Sequence, residues 1–220
     1  MSLVNSNFYS IDVECVADGI THNHRSIAHI AVVDQFCNVL LDAYVTQEKP
    51  VVSYITPLTG LTKEILDVKG IPLQEALAKV KYILPKNCIL VGQSIQNDVK
   101  WLQLKEGVNF ASMIDLQGLY RIWNDKYKSY SSFGQDHVAK VLLNWNADGQ
   151  PHNAVTDAQK SMKLFHHFNY LKQDSNELQL NLRKLLEFPV IPSFARRFPQ
   201  FEGVCMGNRK QCSCGAPFFA

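Results

Sequence analysis

Between residues 8 and 14 apolar and polar side chains alternate, which sends Ile11 and Val13 to one face of a strand and Asp12 and Glu14 to the other. Residues 27–33 and 39–45 run apolar or alternate on either side of a short turn at 34–38, so a three-stranded antiparallel meander is expected. The period then changes. Thr62 can cap a short helix, and Pro72 suits the first position of another in which Leu73, Ala76, Leu77, Val80, Ile83 and Leu84 keep helical spacing as far as Pro85. Residues 89–91 read as a short buried strand, followed by Gly92 and a helix with Ile95, Val99 and Leu102 on its inner stripe. Met113 and Ile114 predict a fifth strand, residues 116–123 another helix, 126–132 a loop of Lys, Tyr and Ser, and 133–143 a helix packing Val138, Val141 and Leu142. Pro151 breaks the chain before His152, after which residues 154–171 form a long helix.

Three antiparallel strands followed by helix, strand, helix and strand predict an α/β fold, a mixed five-stranded sheet with helices on its faces. The polar run at 173–181 reads as the exit from the main domain, so residues 1–172 are expected to form that domain. Residues 173–220 form a C-terminal extension with a short Leu-rich helix near 178–186 and a Pro-punctuated tail.

With 220 residues, 46% of them apolar and 19% charged, the chain can bury a sizeable core, and wholesale disorder is excluded. A net charge of +2 gives no global polyanion signature, so any nucleic-acid contact must be local or act through bound metal. No basic, apolar leader and no membrane-length apolar run is present, which leads to the expectation of a soluble intracellular protein of nucleus or cytoplasm, with no membrane partner. Cys15, Cys37 and Cys88 lie in apolar strand-like contexts, as small free thiols do.

Chemistry enters with the carboxylates. Two acids side by side on a strand repel each other unless something positive lies between them, and for clustered oxygen ligands this is commonly Mg²⁺ or Mn²⁺; a solvated strand end is the alternative. Asp98 borders the apolar stripe of its helix, as a sheet-facing ligand or as an ordinary first-turn acid. His152 leads into a helix with Asp157 five residues later, so the imidazole either caps that helix or stands beside the carboxylate as a base near neutral pH.

Taken in order, Asp12-x-Glu14, Gly92-x-x-x-x-x-Asp98 and His152-x-x-x-x-Asp157 resemble the three motifs of the DEDDh branch of the DnaQ-like 3′ to 5′ exonuclease superfamily, over roughly residues 7 to 172. The resemblance implies a ribonuclease H-like fold and two Mg²⁺ or Mn²⁺ ions held by Asp12, Glu14, Asp98 and Asp157. It also implies His152 as general base and removal of 5′ mononucleotides from the 3′ ends of single-stranded RNA or DNA. Asp12-Val13-Glu14-Cys15 and Thr59-Gly60-Leu61-Thr62 narrow the likeness to the eukaryotic subgroup of RNA exonucleases that includes the interferon-induced antiviral RNase, with RNA the favoured substrate. A histidine often follows the glycine in that subgroup; here the residue is Gln93. The alternatives are a DNA 3′ exonuclease and a non-catalytic nucleic-acid-binding module on the same fold. The resemblance leaves a homodimer open.

The same resemblance places Cys15, Val16 and Ala17, together with Thr59, Gly60 and Leu61, around the terminal nucleotide, with Val16 or Leu61 as an apolar wedge and Thr59 on the sugar. Lys126, Tyr127, Lys128 and Tyr130 mix charge and rings, as a phosphate-and-base surface or a solvated loop would. Trp101 reads as core. His22 and His24 fall in the loop after the first strand. Cys205, Cys212 and Cys214 supply three thiols where a structural Zn²⁺ normally takes four ligands, leaving a fourth to be found or the thiols free. Arg196, Arg197, Arg209 and Lys210 make this tail locally basic, as an extended nucleic-acid surface or a solvated tail.

Overall fold

The computed structural model describes residues 7–218; residues 1–6 and 219–220, the outer ends of the two expected segments, lie outside the described residues. The meander is present as β1 (Phe8–Ala17), β2 (Arg25–Asp34) and β3 (Val39–Tyr44). After it come α1 (Thr56–Thr59), α2 (Lys63–Lys69), α3 (Leu73–Ile83), β4 (Ile89–Gly92), α4 (Gln96–Trp101) and β5 (Ser112–Asp115). Next are α5 (Leu116–Leu119), β6 (Ile122–Asn124), β7 (Ser129–Ser131), α6 (Gln135–Leu143) and α7 (Ala154–Leu171). The chain continues through α8 (Ser175–Glu187), α9 (Phe194–Arg197), β8 (Gln200–Phe201) and β9 (Val204–Cys205).

Five strands form one sheet in the order β3-β2-β1-β4-β5, antiparallel across the meander and parallel from β1 through β4 to β5. The α/β class and mixed sheet match the sequence reading. β1 is central in the sheet and is packed against helices on both of its faces. Ile11 and Val13 join Ile30 and Val32 against Ala76, Leu77 and Val80 of α3. On the other face Phe8, with Ala31 and Val33, meets Ala158, Met162 and Phe165 of α7. Local chemistry sets the helix starts: Thr62 Oγ1 accepts the Ile65 N–H at 3.3 Å, and Asn153 Oδ1 accepts those of Val155 and Thr156 at 3.0 and 3.3 Å.

Past Glu14 the register of β1 with β2 shifts by one, a bulge that redirects the strand end. Val16 then leaves the main core for a small cluster with Ala28, Leu61 and Leu66, and Ala17 joins Ile55, Phe194 and Val204.

Several expectations fail for non-local reasons. The helix expected at 116–123 stops at Leu119, and Ile122–Asn124 instead pairs with Ser129–Ser131 inside the expected loop. The pairing is held by the Trp123 ring edge-on to Tyr130 at 5.5 Å and by the Arg121 guanidinium over Tyr130 at 4.8 Å. Residues 173–181 do not lead away from the body: α8 returns to it, burying Leu182 and Leu185 among α6 and α7, with the Leu185 carbonyl 2.9 Å from His137 Nε2. Trp101 is 38% exposed at the end of α4 rather than core. The tail holds a short helix and a two-stranded hairpin that its prolines concealed.

Candidate active site

Alternation along β1 turns Asp12 and Glu14 toward α7, next to the bulge. Asp98, in the first turn of α4, and Asp157, in the first turn of α7, are both buried. His152 precedes α7 and is tied to the α1 turn by its N–H, which donates to the Leu58 carbonyl at 2.6 Å. Carboxylate or imidazole atoms of Glu14, His152 and Asp157 lie within 4.8 Å of one another. Asp12 feels the charges of Asp98, Asp157 and Glu14. All five residues singled out by the motifs are therefore neighbours.

The electrostatics are those of a crowded anionic site. Burial pushes Asp12 well above the usual carboxylate range, and its three acidic neighbours push the same way. Burial pushes Glu14 up to about 8 against the pull of His152, and Asp98 up to about 7 although main-chain N–H groups of Asp98 and Val13 pull it down. Asp157 is the exception. Burial would raise it, but the hydrogen bond from His152 and the Lys160 charge hold it below its ordinary range. His152 Nδ1 is 2.8 Å from Asp157 Oδ2, and that bond raises the imidazole to about 9 despite burial. Three oxygen donors above their ordinary range, with a fourth held ionised beside them, fit a hard divalent cation, which relieves their mutual repulsion.

Sequence reasoning missed Lys160. Its ammonium, 3% exposed, donates to Asp157 Oδ1 at 2.7 Å and to Asp136 Oδ1 at 2.5 Å. Its spacing of three from Asp157 on one helix was a usable signal, whereas Asp136 arrives from α6 with none. Gln135 Nε2 steadies the same turn through the Asp157 carbonyl at 3.0 Å and Ser161 Oγ at 2.7 Å. Gln93 donates to the Phe133 carbonyl at 3.0 Å, fixing the approach to α6.

The residues assigned to a terminal nucleotide fall differently. Val16 and Leu61 are buried in one cluster, and Thr59 Oγ1 donates to the Tyr54 carbonyl at 2.9 Å. In this arrangement the side chains expected as wedge and sugar contact are engaged in packing and with the main chain. Cys15 stays half-buried beside Glu14, and Ala17 is buried. Gly60 adopts φ +68°, and a Cβ there would stand 3.3 Å from Pro151, next to His152. A cleft of about 760 Å³ runs from Gln135, Asp136 and His152 to Ile191, Phe194 and Arg197 of the C-terminal extension. Lys126 and Tyr130 line a separate groove with Arg183 of α8, which shares no lining residue with that cleft. Cys205, Cys212 and Cys214 converge with His22, and His24 is exposed. Among the described residues no helix is long and apolar enough to cross a membrane.

Residues 10–165 match the sequence profile of the exonuclease family RNase_T. Small RNA degrading nuclease 2 of Arabidopsis thaliana is 30% identical over 159 residues, 70% of this chain and 33% of that protein. RNA exonuclease 5 of Homo sapiens is 27% identical over 185 residues, 82% of this chain and 22% of that protein. These matches span a third or less of the relatives' lengths. The Neurospora crassa Pan2 catalytic unit, comprising protease and nuclease domains, superposes with a TM-score of 0.68 at 18% identity, over 86% of this chain and 32% of that one. The Saccharomyces cerevisiae Pan2 module in complex with AAUUAA RNA gives 0.69 at 18% identity, over 83% and 32%. At these identities the structural likeness is one of fold.

Proposed function

As the chain belongs to the exonuclease family RNase_T, we propose that it is a DEDDh-type, metal-dependent 3′ to 5′ exonuclease that removes 5′ mononucleotides from single-stranded RNA in preference to DNA. Residues 1–172 form the catalytic domain in this reading, and 173–220 an extension that walls its cleft. The observation that carries the proposal is the convergence of Asp12, Glu14, Asp98, Asp157 and His152 at the bulged end of β1. The preference for RNA is supported by the relatives, which are named as RNA nucleases or bind RNA in their structures.

Asp12, Glu14, Asp98 and Asp157 would hold two Mg²⁺ or Mn²⁺ ions, which when bound supply charge neutralisation at the phosphodiester and activation of water. His152 takes the proton of the attacking water. Its Nδ1 faces Asp157, which leaves Nε2, 3.6 Å from Asp136 Oδ2, as the atom to receive it. In the arrangement seen, Asp157 keeps the imidazole protonated at neutral pH. The ring becomes a base once Asp157 shares its charge with another partner, which returns the imidazole toward its ordinary range. Lys160 holds the far oxygen of Asp157 and so fixes which oxygen faces His152. With Val16 and Leu61 in the core, contact with the terminal nucleotide falls to the main chain of residues 15–17 and 59–61.

Matched 5′-labelled single-stranded RNA and DNA, incubated with Mg²⁺ or Mn²⁺, test the reading. The expected result is a ladder shortening from the 3′ end on RNA, abolished by EDTA and by His152→Ala. The same ladder on DNA alone would reassign the substrate, and tight binding with no ladder on either would leave a binding module.

A further inference from the structure

His22 lies in the turn between β1 and β2, Cys205 ends β9, and Cys212 and Cys214 follow it. The Cys212 sulfur is 3.5 Å from that of Cys205 and 3.5 Å from that of Cys214. His22 Nδ1 is 3.2, 3.6 and 3.9 Å from the sulfurs of Cys214, Cys212 and Cys205. Bonds of about 2.3 Å to sulfur and about 2.0 Å to nitrogen at tetrahedral angles separate sulfurs by about 3.8 Å and nitrogen from sulfur by about 3.6 Å. A disulfide would bring two sulfurs to about 2.05 Å. Five of the six separations among the four donors are thus of metal-site size, and all four atoms lie within 4.8 Å of one another.

The surroundings orient them. His22 Nε2 is 3.3 Å from the Pro217 carbonyl, so the ring proton sits there and the Nδ1 lone pair faces the sulfurs. Phe218 stacks on the imidazole at 4.4 Å. The Gly207 N–H donates to Cys205 Sγ at 3.5 Å. Gly207 has φ +74°, and a Cβ on it would come within 3.3 Å of His22 Cβ, so a side chain here would be strained and would press on the histidine.

We propose that His22, Cys205, Cys212 and Cys214 bind one structural Zn²⁺, which pins residues 194–217 to the turn after β1 and holds the outer wall of the cleft. Soft thiolates select zinc over the hard cations that the carboxylate cluster suits. The tail also needs such a pin. β8 and β9 have two residues each, too short to persist alone. The protein ties they have are modest: a small cluster of Ala17, Ile55, Phe194 and Val204, a Ser53 to Glu202 hydrogen bond, the Cys205 N–H on the Ile20 carbonyl and Arg25 on that of Cys205. Phe194, Arg197 and Met206 from this segment line the cleft that His152 also lines. The metal therefore acts on substrate grip rather than on the reaction.

The test is metal content of the full chain purified under reducing conditions without added zinc, in an Asp12→Asn background so that the carboxylate cluster adds little. One zinc per chain is expected. Cobalt exchanged into the site should give thiolate charge-transfer absorption and the visible bands of tetrahedral coordination. His22→Ala should lose the metal and those bands, and lower Tm by about 5 °C or more, whereas His24→Ala should keep all three. On the wild-type background, His22→Ala should raise KM for RNA more than it lowers kcat. A zinc-free native chain, or one in which two of these sulfurs are joined as a disulfide, would overturn the proposal. An unchanged cobalt spectrum in His22→Ala would remove His22 from the site. None of the metal readouts depends on nuclease activity, so this inference and the proposed function can fail separately.

Discussion

At Asp12 burial and like charge act against ionisation together, and an amide of the same shape removes both penalties. Asp12→Asn is therefore expected to lower kcat on the order of a thousandfold, while the metal-free protein melts no lower than wild type. Thermal unfolding in EDTA beside a nuclease assay checks this; a large drop in metal-free Tm would contradict it. Lys160 is the opposite case, a buried cation whose loss leaves Asp157 and Asp136 without their shared partner. Lys160→Met should cost about 3 kcal/mol in urea unfolding without metal. The cost should shrink when Asp136 is already Asn, because the two act through one contact. The carboxylates were legible because their three motifs, taken in order, resemble those of a known family; the local period placed Asp12 and Glu14 on one strand face and Asp98 at the edge of its helix stripe, and alone it left a solvated strand end or a first-turn acid open. Asp136 and His22 were not legible, since each reaches its neighbours across the fold from a segment with no pattern of its own.

Among the elements, the short α1 turn bears on the site through Gly60. An alanine there is forced into the left-handed region at a cost of about 1–2 kcal/mol and presses on Pro151, whose neighbour His152 is bonded to Leu58 of the same turn. Gly60→Ala should lower kcat together with stability. Thr62→Ala should cost about 1 kcal/mol through the lost α2 cap and leave kcat unchanged. Steady-state kinetics and denaturant melts on the pair separate a turn that positions His152 from one that merely folds. Elements with strong local signals were readable from the chain: α7 spans the expected residues, bounded by Pro151 and the Asn153 cap. The β6–β7 hairpin was not, because its strands are three residues long and take their stability from Trp123 on Tyr130 across the turn. The Leu-rich helix expected near 178–186 is present as the later part of α8, whereas residues 173–181 looked like an exit because they are polar, and Leu182 and Leu185, which return the helix to the core, meet partners on α6 and α7.

For the molecule as a whole, the buried acids set a pH dependence. In the metal-free chain Asp12, Glu14, Asp98 and His152 all have folded pKa values above their unfolded ones, so the folded state binds more protons. Their contribution is full below the unfolded values and is lost as pH rises through about 7 for Asp98, about 8 for Glu14 and about 9 for His152. Asp157, held low, slopes the other way but only in strong acid. Without metal, Tm is expected to be lower near pH 9 than near pH 6, and Mg²⁺ or Mn²⁺ to raise it more at the higher pH. A metal-free Tm that rises over this range would contradict that assignment.

The order of the sheet also governs when the site can exist. β1 is central and made early, while Asp157 and His152 lie most of the chain further on and reach β1 only when α7 docks on its face. A nascent chain on the ribosome therefore displays Asp12 and Glu14 long before it has either partner, and a product released before α7 lacks Asp157 and the helix that seats His152. Under the proposed mechanism no chain that stops short of α7 can hydrolyse the RNA-rich machine that is still translating it.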